Sequence, residues 1–378
     1  MKFLFVIQGE GRGHMTQAIA LSSLLRRQGH ELASVVVGKS PRRKIPEFFR
    51  REINASIHEV ESPNFECDGA NKKILIGKTL RKNSGKLGTF WKSLRQIDRI
   101  VCDAKPDVIL NFYDLLGGLY NFLFRPKAEF WVIGHQYLIT HPDFHFAPGR
   151  PVDKALFQLN TFFTGLGAKE RLALSFLPKK NSPAEIRVVP PLLRKEVHAL
   201  TPSEGDFYLA YMVNAGYAAE AMHFAQQNPE LKIKAYWDKK DAAESEYPLP
   251  NLSFHQVNDR TFLQDMAACK GLACTAGFES VCEAMYLGKP VLMIPVAGQY
   301  EQACNALDGQ ASGAGIASER FDFAKLAGAQ KKDAEASLVY RDWVASWREL
   351  LRDLVWESER RNSKISKPLS DEPVPALG

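Results

Sequence analysis

The chain has 378 residues, 45% apolar and 24% charged, with a net charge of +6; it is too long for one ordinary domain and has the make-up of a folded globular protein. No apolar run approaches the roughly 18 residues of a membrane span. The charge is unevenly divided: residues 1–200 hold 31 Lys and Arg against 18 Asp and Glu, and the remainder holds 18 against 25.

The opening MKFLFVI runs straight into glycines, so residues 2–8 read as a buried strand rather than a signal-peptide core. The loop GEGRGH follows, with Gly9, Gly11, Gly13 and then His14, and a helix is expected over 15–28 from Ala18, Leu21, Leu24 and Leu25. ELASVVVG, PDVILNFY and AEFWVIG are further strands. Strands alternating with helices predict a parallel sheet covered on both faces. The two basic stretches KSPRRKIPEFFRR and KKILIGKTLRKNSGKLGTFWKSLRQIDR mix cations with apolar residues. They read either as a solvated face or as attraction to an anionic membrane surface or substrate. No nucleic-acid-binding motif accompanies them.

The pattern pauses at VVPPLLRKEVHALTPSEGD, which sets the expected boundary between a domain 1–195 and a domain 206–332. The alternation then resumes: strands FYLAYM, KIKAYW, NLSFHQV, KGLACTAG and PVLMIPV, with helices AEAMHFAQQ, DRTFLQDMAAC, FESVCEAMYLG and YEQACNALDGQA among them. Residues 333–357 are expected to form one amphipathic helix with Val339, Trp343, Trp347, Leu350, Leu354 and Val355 on one side, and 358–378 a disordered polar tail. The six cysteines form no CxxC pair and lie mostly among apolar residues, which predicts reduced, buried thiols in a cytoplasmic protein.

Several familiar motifs fail on inspection. A dinucleotide fingerprint needs a glycine where His14 stands and an acid at the end of the second strand, which instead ends at Gly38-Lys39. The GKS and GKT triplets lack the earlier P-loop glycine. His141 and His145 have helical ligand spacing, but Pro142 argues against a helix there. No metal site is expected. With them His135 falls on a loop after a strand, where His135 and Gln136 are candidate acceptor-side residues.

The densest signal is TAGFESVCEAMYLGKPVLMIPVAGQYEQACNA, residues 275–306. A strand ends at Ala276-Gly277 and a helix starts at once, aiming free N–H groups at an anion. Gly277 permits close approach of a phosphate and Ser280 adds a hydroxyl donor. Glu283, a turn later, suits paired ribose hydroxyls, and Glu301 and Gln302 suit the hydroxyls of a sugar. Singly, these residues read as a turn glycine, a cap and solvated helix positions; in that order they describe a nucleotide-sugar pocket.

With these residues in place the sequence resembles the GT-B glycosyltransferases, in the branch related to plant UDP-glycosyltransferases and the bacterial N-acetylglucosaminyltransferase of lipid II synthesis. The resemblance covers nearly the whole chain. It implies an α/β fold of two doubly wound Rossmann-like domains facing across a cleft, with the C-terminal helix crossing back to the N-terminal, acceptor-binding domain. It assigns phosphate contact to Gly277 and Ser280, the ribose to Glu283, the sugar to Glu301 and Gln302, and the recurring NA to Asn305-Ala306. Thr275 stands where many plant members have histidine. Asn214 and Gly216 fall where relatives contact phosphate, and Leu263 is the expected base contact.

The resemblance also implies transfer from a UDP-sugar to a hydroxyl, inverting and without metal or cofactor, with His14 as base, Asp114 orienting it, and Gly11 and Gly13 leaving room beside it. The acceptor itself is not identified; the basic charge of the first half points to a lipid-linked or anionic one, with peripheral attachment at the inner face of the membrane and a product among cell-envelope glycans or glycolipids. Two other readings stay open: a nucleotide-sugar 2-epimerase or hydrolase, and a non-catalytic sugar or membrane-surface binding protein.

Overall fold

The structure, a computed structural model, describes residues 1–39, 44–63, 87–212, 215–237, 239, 242–329 and 334–365. Cys67, Asn214, most of the second basic stretch and residues 366–378 lie outside the described residues.

Two parallel sheets account for the fold. The first is built from β1 (Lys2–Gln8), β2 (Glu31–Lys39), β3 (Ser56–Glu61), β4 (Val108–Phe112), β5 (Glu129–Gly134), β6 (Glu170–Leu174) and β7 (Arg187–Val189), in the order β3-β2-β1-β4-β5-β6-β7. Its helices are α1 (Arg12–Arg27), α2 (Glu47–Glu52), α3 (Leu87–Ala104), α4 (Leu115–Phe124) and α5 (Pro151–Thr164). The short α6 (Lys195–His198) follows β7.

The second sheet has β8 (Phe207–Met212), β9 (Lys232–Trp237), β10 (Ser245–Leu249), β11 (Leu252–Gln256), β12 (Leu272–Thr275), β13 (Val291–Ile294) and β14 (Ile316–Ala317), ordered β10-β11-β9-β8-β12-β13-β14. All pairings are parallel except β10 with β11. With them go α7 (Ala218–Gln227), α8 (Asp259–Ala268), α9 (Phe278–Tyr286), α10 (Tyr300–Ala311) and α11 (Phe323–Ala327).

The near-continuous apolar run of β1 is buried from Phe3 to Ile7 because helices cover both faces of its sheet. In each half the strand order reverses at one place, between β1 and β4 and between β8 and β12. Ligands of such sheets bind beyond the carboxyl ends of the strands at that reversal. Five strands had no sequence signal, among them the two-residue β14. β3 (SIHEVE) and β10 (SEYPL) are polar, partly buried strands, β7 has only three residues, and β6 is short.

The C-terminal helix differs from its expected form. It is two helices, α12 (Ala334–Ala345) and α13 (Trp347–Ile365), interrupted at Ser346. The helix therefore runs past residue 357, into what the composition marked as a disordered tail. Val339 is 57% exposed and not part of the apolar stripe; Tyr340, Val344, Trp347, Leu351, Leu354 and Val355 are the buried apolar residues. The break lets one segment serve both halves. Tyr340 and Arg341 on α12 donate to the carbonyls of Cys282 and Tyr286 on α9. On α13, Trp347 donates to the Pro190 carbonyl at 2.8 Å, and Arg361 binds Glu129 at 2.9 Å and Glu170 at 3.0 Å. Of the described cysteines all are free; Cys269, Cys274, Cys282 and Cys304 are buried, whereas Cys102 is exposed.

Candidate functional site

The carboxyl ends of β1 and β4 carry the N-terminal side of the site. Gly9 hydrogen-bonds Gly38 at 2.7 Å, and a Cβ on it would lie 2.7 Å from Val37, so this glycine is required by the close approach of β2. Gly11 is the N-cap of α1 and borders open space. Gly13 faces the other half: a Cβ there would stand 2.5 Å from the carboxylate of Glu279. His14 lies in the first turn of α1, partly buried, its ring stacked on Tyr113 with centroids 6.0 Å apart. Burial lowers its pKa to about 4, so the imidazole is neutral at physiological pH.

Asp114 does not pair with His14. It is the N-cap of α4, and its Oδ1 accepts from the Leu116 N–H at 2.8 Å and from Ser62 at 3.2 Å. Its backbone is clamped on both sides by Asn111. Burial raises the Asp114 pKa to about 6. The partner of His14 is Gln17, whose Oε1 lies 3.4 Å from Nδ1.

Across the cleft, β12 ends at Thr275 and α9 begins at Phe278. Gly277 is the N-cap, in extended conformation and without a side-chain cap, and a Cβ there would meet only the Thr275 carbonyl at 3.8 Å. The turn is open. The first N–H groups of α9 have no intrahelical acceptor, and Ser280 sits partly exposed beside them. Thr275 is buried. Asn305 on α10 donates to the Ala276 carbonyl at 3.2 Å and fixes the turn from behind.

Three carboxylates surround this turn, and each is engaged from outside the second sheet. Glu283 is 1% exposed and receives Nε and Nη2 of Arg194, from the segment before α6, at 2.5 and 2.6 Å. The two contacts make a fork-to-fork pair, one Arg194 nitrogen to each carboxylate oxygen. Glu301 accepts from Gln136 at 2.9 Å, and burial pushes its pKa up to about 7. Glu279 accepts from the side chain of Gln17 on α1, and burial likewise pushes it to about 7. On Gln302, Oε1 accepts from the Val296 N–H at 2.9 Å.

Other expected positions lie elsewhere. Leu263 is a core residue, 2% exposed, in the apolar cluster that spans both sheets. His135 is buried between the halves, not facing an acceptor: Nδ1 donates to the Leu174 carbonyl at 2.7 Å and the ring stacks on Phe278 at 4.3 Å. Its Nε2 is 3.9 Å from Asp308, which Lys179 binds at 3.0 Å. Gly216 lies in an exposed 3-10 turn, Ala215–Tyr217. Among the described residues no cluster of three or more His, Cys, Asp or Glu could hold a metal, and no helix is long and apolar enough to cross a membrane.

Sequence reasoning missed Gln17, Arg194 and Glu279 as site residues. Gln17 carried a readable sign, since it falls one turn after His14 on the same helix face; Arg194 carried none.

Two doubly wound lobes with an open strand-to-helix turn facing a histidine across the cleft define a GT-B glycosyltransferase. The family model for glycosyl transferase family 1 matches residues 1–330, and the chain belongs to that family. It is a nucleotide-sugar-dependent glycosyltransferase. No curated protein matches it.

Similar solved structures share the fold at low identity. The glycotransferase of kitacinnamycin superposes with a TM-score of 0.60 at 14% identity, over 94% of this chain and 98% of that one. UGT2 of Phytolacca americana, complexed with UDP-2-fluoroglucose and pterostilbene, gives 0.62 at 12%, over 95% and 99%. The spinosyn rhamnosyltransferase SpnG complexed with thymidine diphosphate gives 0.56 at 17%, over 94% and 100%.

Proposed function

We propose that the chain transfers a hexosyl group from a UDP-sugar to an acceptor hydroxyl with inversion, the residues up to about 195 binding the acceptor and those from about 206 to 332 the donor. The observation that carries this reading is the uncapped turn at Gly277. It is roomy, rich in N–H donors and bordered by carboxylates suited to ribose and sugar hydroxyls. The donor diphosphate lies against Gly277 and Ser280. Arg194 takes one lone-pair direction on each oxygen of Glu283, which leaves the others for ribose hydroxyls. Glu301 receives hydroxyls of the sugar.

In the reaction the acceptor hydroxyl gives its proton to Nε2 of His14 while its oxygen bonds to the anomeric carbon. The bond from that carbon to the β-phosphate oxygen breaks, and the electron pair leaves with the diphosphate. The partial positive charge of the α9 N-terminus stabilises the departing group. A thermal-shift screen with UDP, TDP, ADP and UDP-glucose tests the donor class. UDP and UDP-glucose raise Tm most; a larger shift with TDP would reassign the base, and no shift with any would favour a non-catalytic binding protein. Product formed from UDP-glucose without any acceptor would favour the epimerase or hydrolase reading.

The acceptor reading rests on the first lobe. Trp91 on α3, Phe122 and Leu123 on α4 and Phe162 on α5 are 46%, 53%, 51% and 62% exposed. Lys92, Arg95, Arg99, Arg125 and Lys127 are exposed on the same two helices, α3 and α4, or just beyond α4. Apolar side chains bordered by cations suit an anionic membrane surface, and so a lipid-linked acceptor. Flotation with anionic vesicles, and none with neutral ones, is the expected result.

A further inference from the structure

His14 lies at the start of a chain of side-chain contacts that crosses the cleft. Gln17 is 2% exposed and cannot turn to solvent. Its Nε2 donates to Oε1 of Glu279, and its Oε1 lies 3.4 Å from Nδ1 of His14. Above the Glu279 pKa of about 7, where its carboxyl is ionised, chemistry fixes the order of atoms in this chain. An ionised carboxylate only accepts, so the amide NH2 group of Gln17 must face Glu279. The amide oxygen is then left for His14, and a carbonyl oxygen only accepts, so Nδ1 must carry the proton. In a neutral imidazole the lone pair is then on Nε2.

The residue expected to do this, Asp114, caps α4 and binds Ser62 through Oδ1, and its buried Oδ2 makes no hydrogen bond to His14. The Tyr113 ring stacks on His14 at an interplanar angle of 28°, and Tyr113 is itself held by Thr161 at 2.7 Å. The ring is thus fixed on its face by Tyr113 and on its edge by Gln17.

We propose that Gln17 is a positioning residue for His14: its carboxamide, oriented by Glu279 of the opposite lobe, holds the proton on Nδ1 and keeps the Nε2 lone pair for the acceptor hydroxyl. This rests on the reading of His14 as the base. The consequence is a coupling between lobes. Glu279 stands two residues after Gly277, so the helix that receives the donor diphosphate also supplies the contact that sets the tautomer of the base. The base is properly poised only when the lobes are together.

The full chain labelled with 15N-histidine tests this at pH 8, above the value of about 7 to which burial raises Glu279. Long-range 1H–15N spectra read the tautomer, and His14→Asn identifies the His14 signals. The wild type shows Nδ1 protonated and Nε2 bare. Gln17→Leu shifts His14 towards the Nε2-protonated form, and Glu279→Ala, acting from the other lobe, does so as well. A wild type protonated on Nε2, or a tautomer unmoved in both variants, overturns the proposal.

In kinetics with whichever donor raises Tm, Gln17→Leu lowers kcat by about tenfold with the donor KM within about twofold. A rise in KM alone counts against positioning. Full turnover by His14→Ala would instead refute the base, and would leave the tautomer result standing.

Discussion

The turns after β4 and after β12 occupy the same place in their two sheets, and their difference divides the labour of the molecule. Each follows a parallel strand at the reversal of strand order and starts a helix. After β4 the N-cap is Asp114, whose carboxylate accepts from the Leu116 N–H at 2.8 Å. The chain's own anion fills the anion site of that helix. After β12 the N-cap is Gly277, with no side chain and open space in front of it. Identical topology therefore gives one turn capped by its own N-cap side chain and one whose N-cap has none, bordered by the Glu279 carboxylate, which accepts its own backbone N–H.

Variants that disturb the two sides differently put this division under strain. The largest effect belongs to His14→Ala, which lowers turnover by about 10²–10⁴-fold while leaving calorimetric donor affinity in place. Loss of donor affinity in that variant would mean that the first lobe binds the nucleotide. Next is Arg194→Ala, which strands a buried carboxylate: urea denaturation should show a loss of about 3 kcal/mol. Unchanged stability would mean that Glu283 finds water instead.

Asp114→Ala removes a cap and should cost about 1 kcal/mol by the same method, with the His14 pKa unmoved. A shift in the His14 titration would restore the pairing of the two residues. The smallest effect is that of Glu301→Gln. Burial raises the Glu301 pKa from 4.5 to about 7. The stability linked to it is therefore present below pH 4.5 and lost as pH rises through 7. The amide avoids that loss and keeps an acceptor for Gln136. The variant should gain on the order of 1 kcal/mol at pH 8, discounted for part exposure, and nothing at pH 4. An equal gain at both would remove ionisation as the cause.

Much of the fold was legible because buried parallel strands are continuous apolar runs, as in KFLFVIQ and VLMI. The polar edge strands SIHEVE and SEYPL were not, since half-exposed backbone pairing leaves no apolar period. In the site, the receptive turn could be read locally as strand, glycine, helix. The partners of its carboxylates could not. Gln17 and Glu279 are 262 residues apart, Gln136 and Glu301 165, and Arg194 and Glu283 89. Only the packing of the lobes brings those pairs together. Asp114, plausible in sequence as a partner for His14, is instead a helix cap held by contacts within its own lobe.

The most direct test transplants the closed turn into the open one. Gly277→Asp has a tolerated backbone conformation and room for its Cβ, so the protein should fold with wild-type stability or slightly better. Calorimetric titration with UDP and TDP should then show the affinity of the better ligand reduced at least about a hundredfold, because the new carboxylate occupies the phosphate position. Binding equal to that of the wild type, in a variant shown to be folded, would contradict the assignment of the diphosphate to this turn.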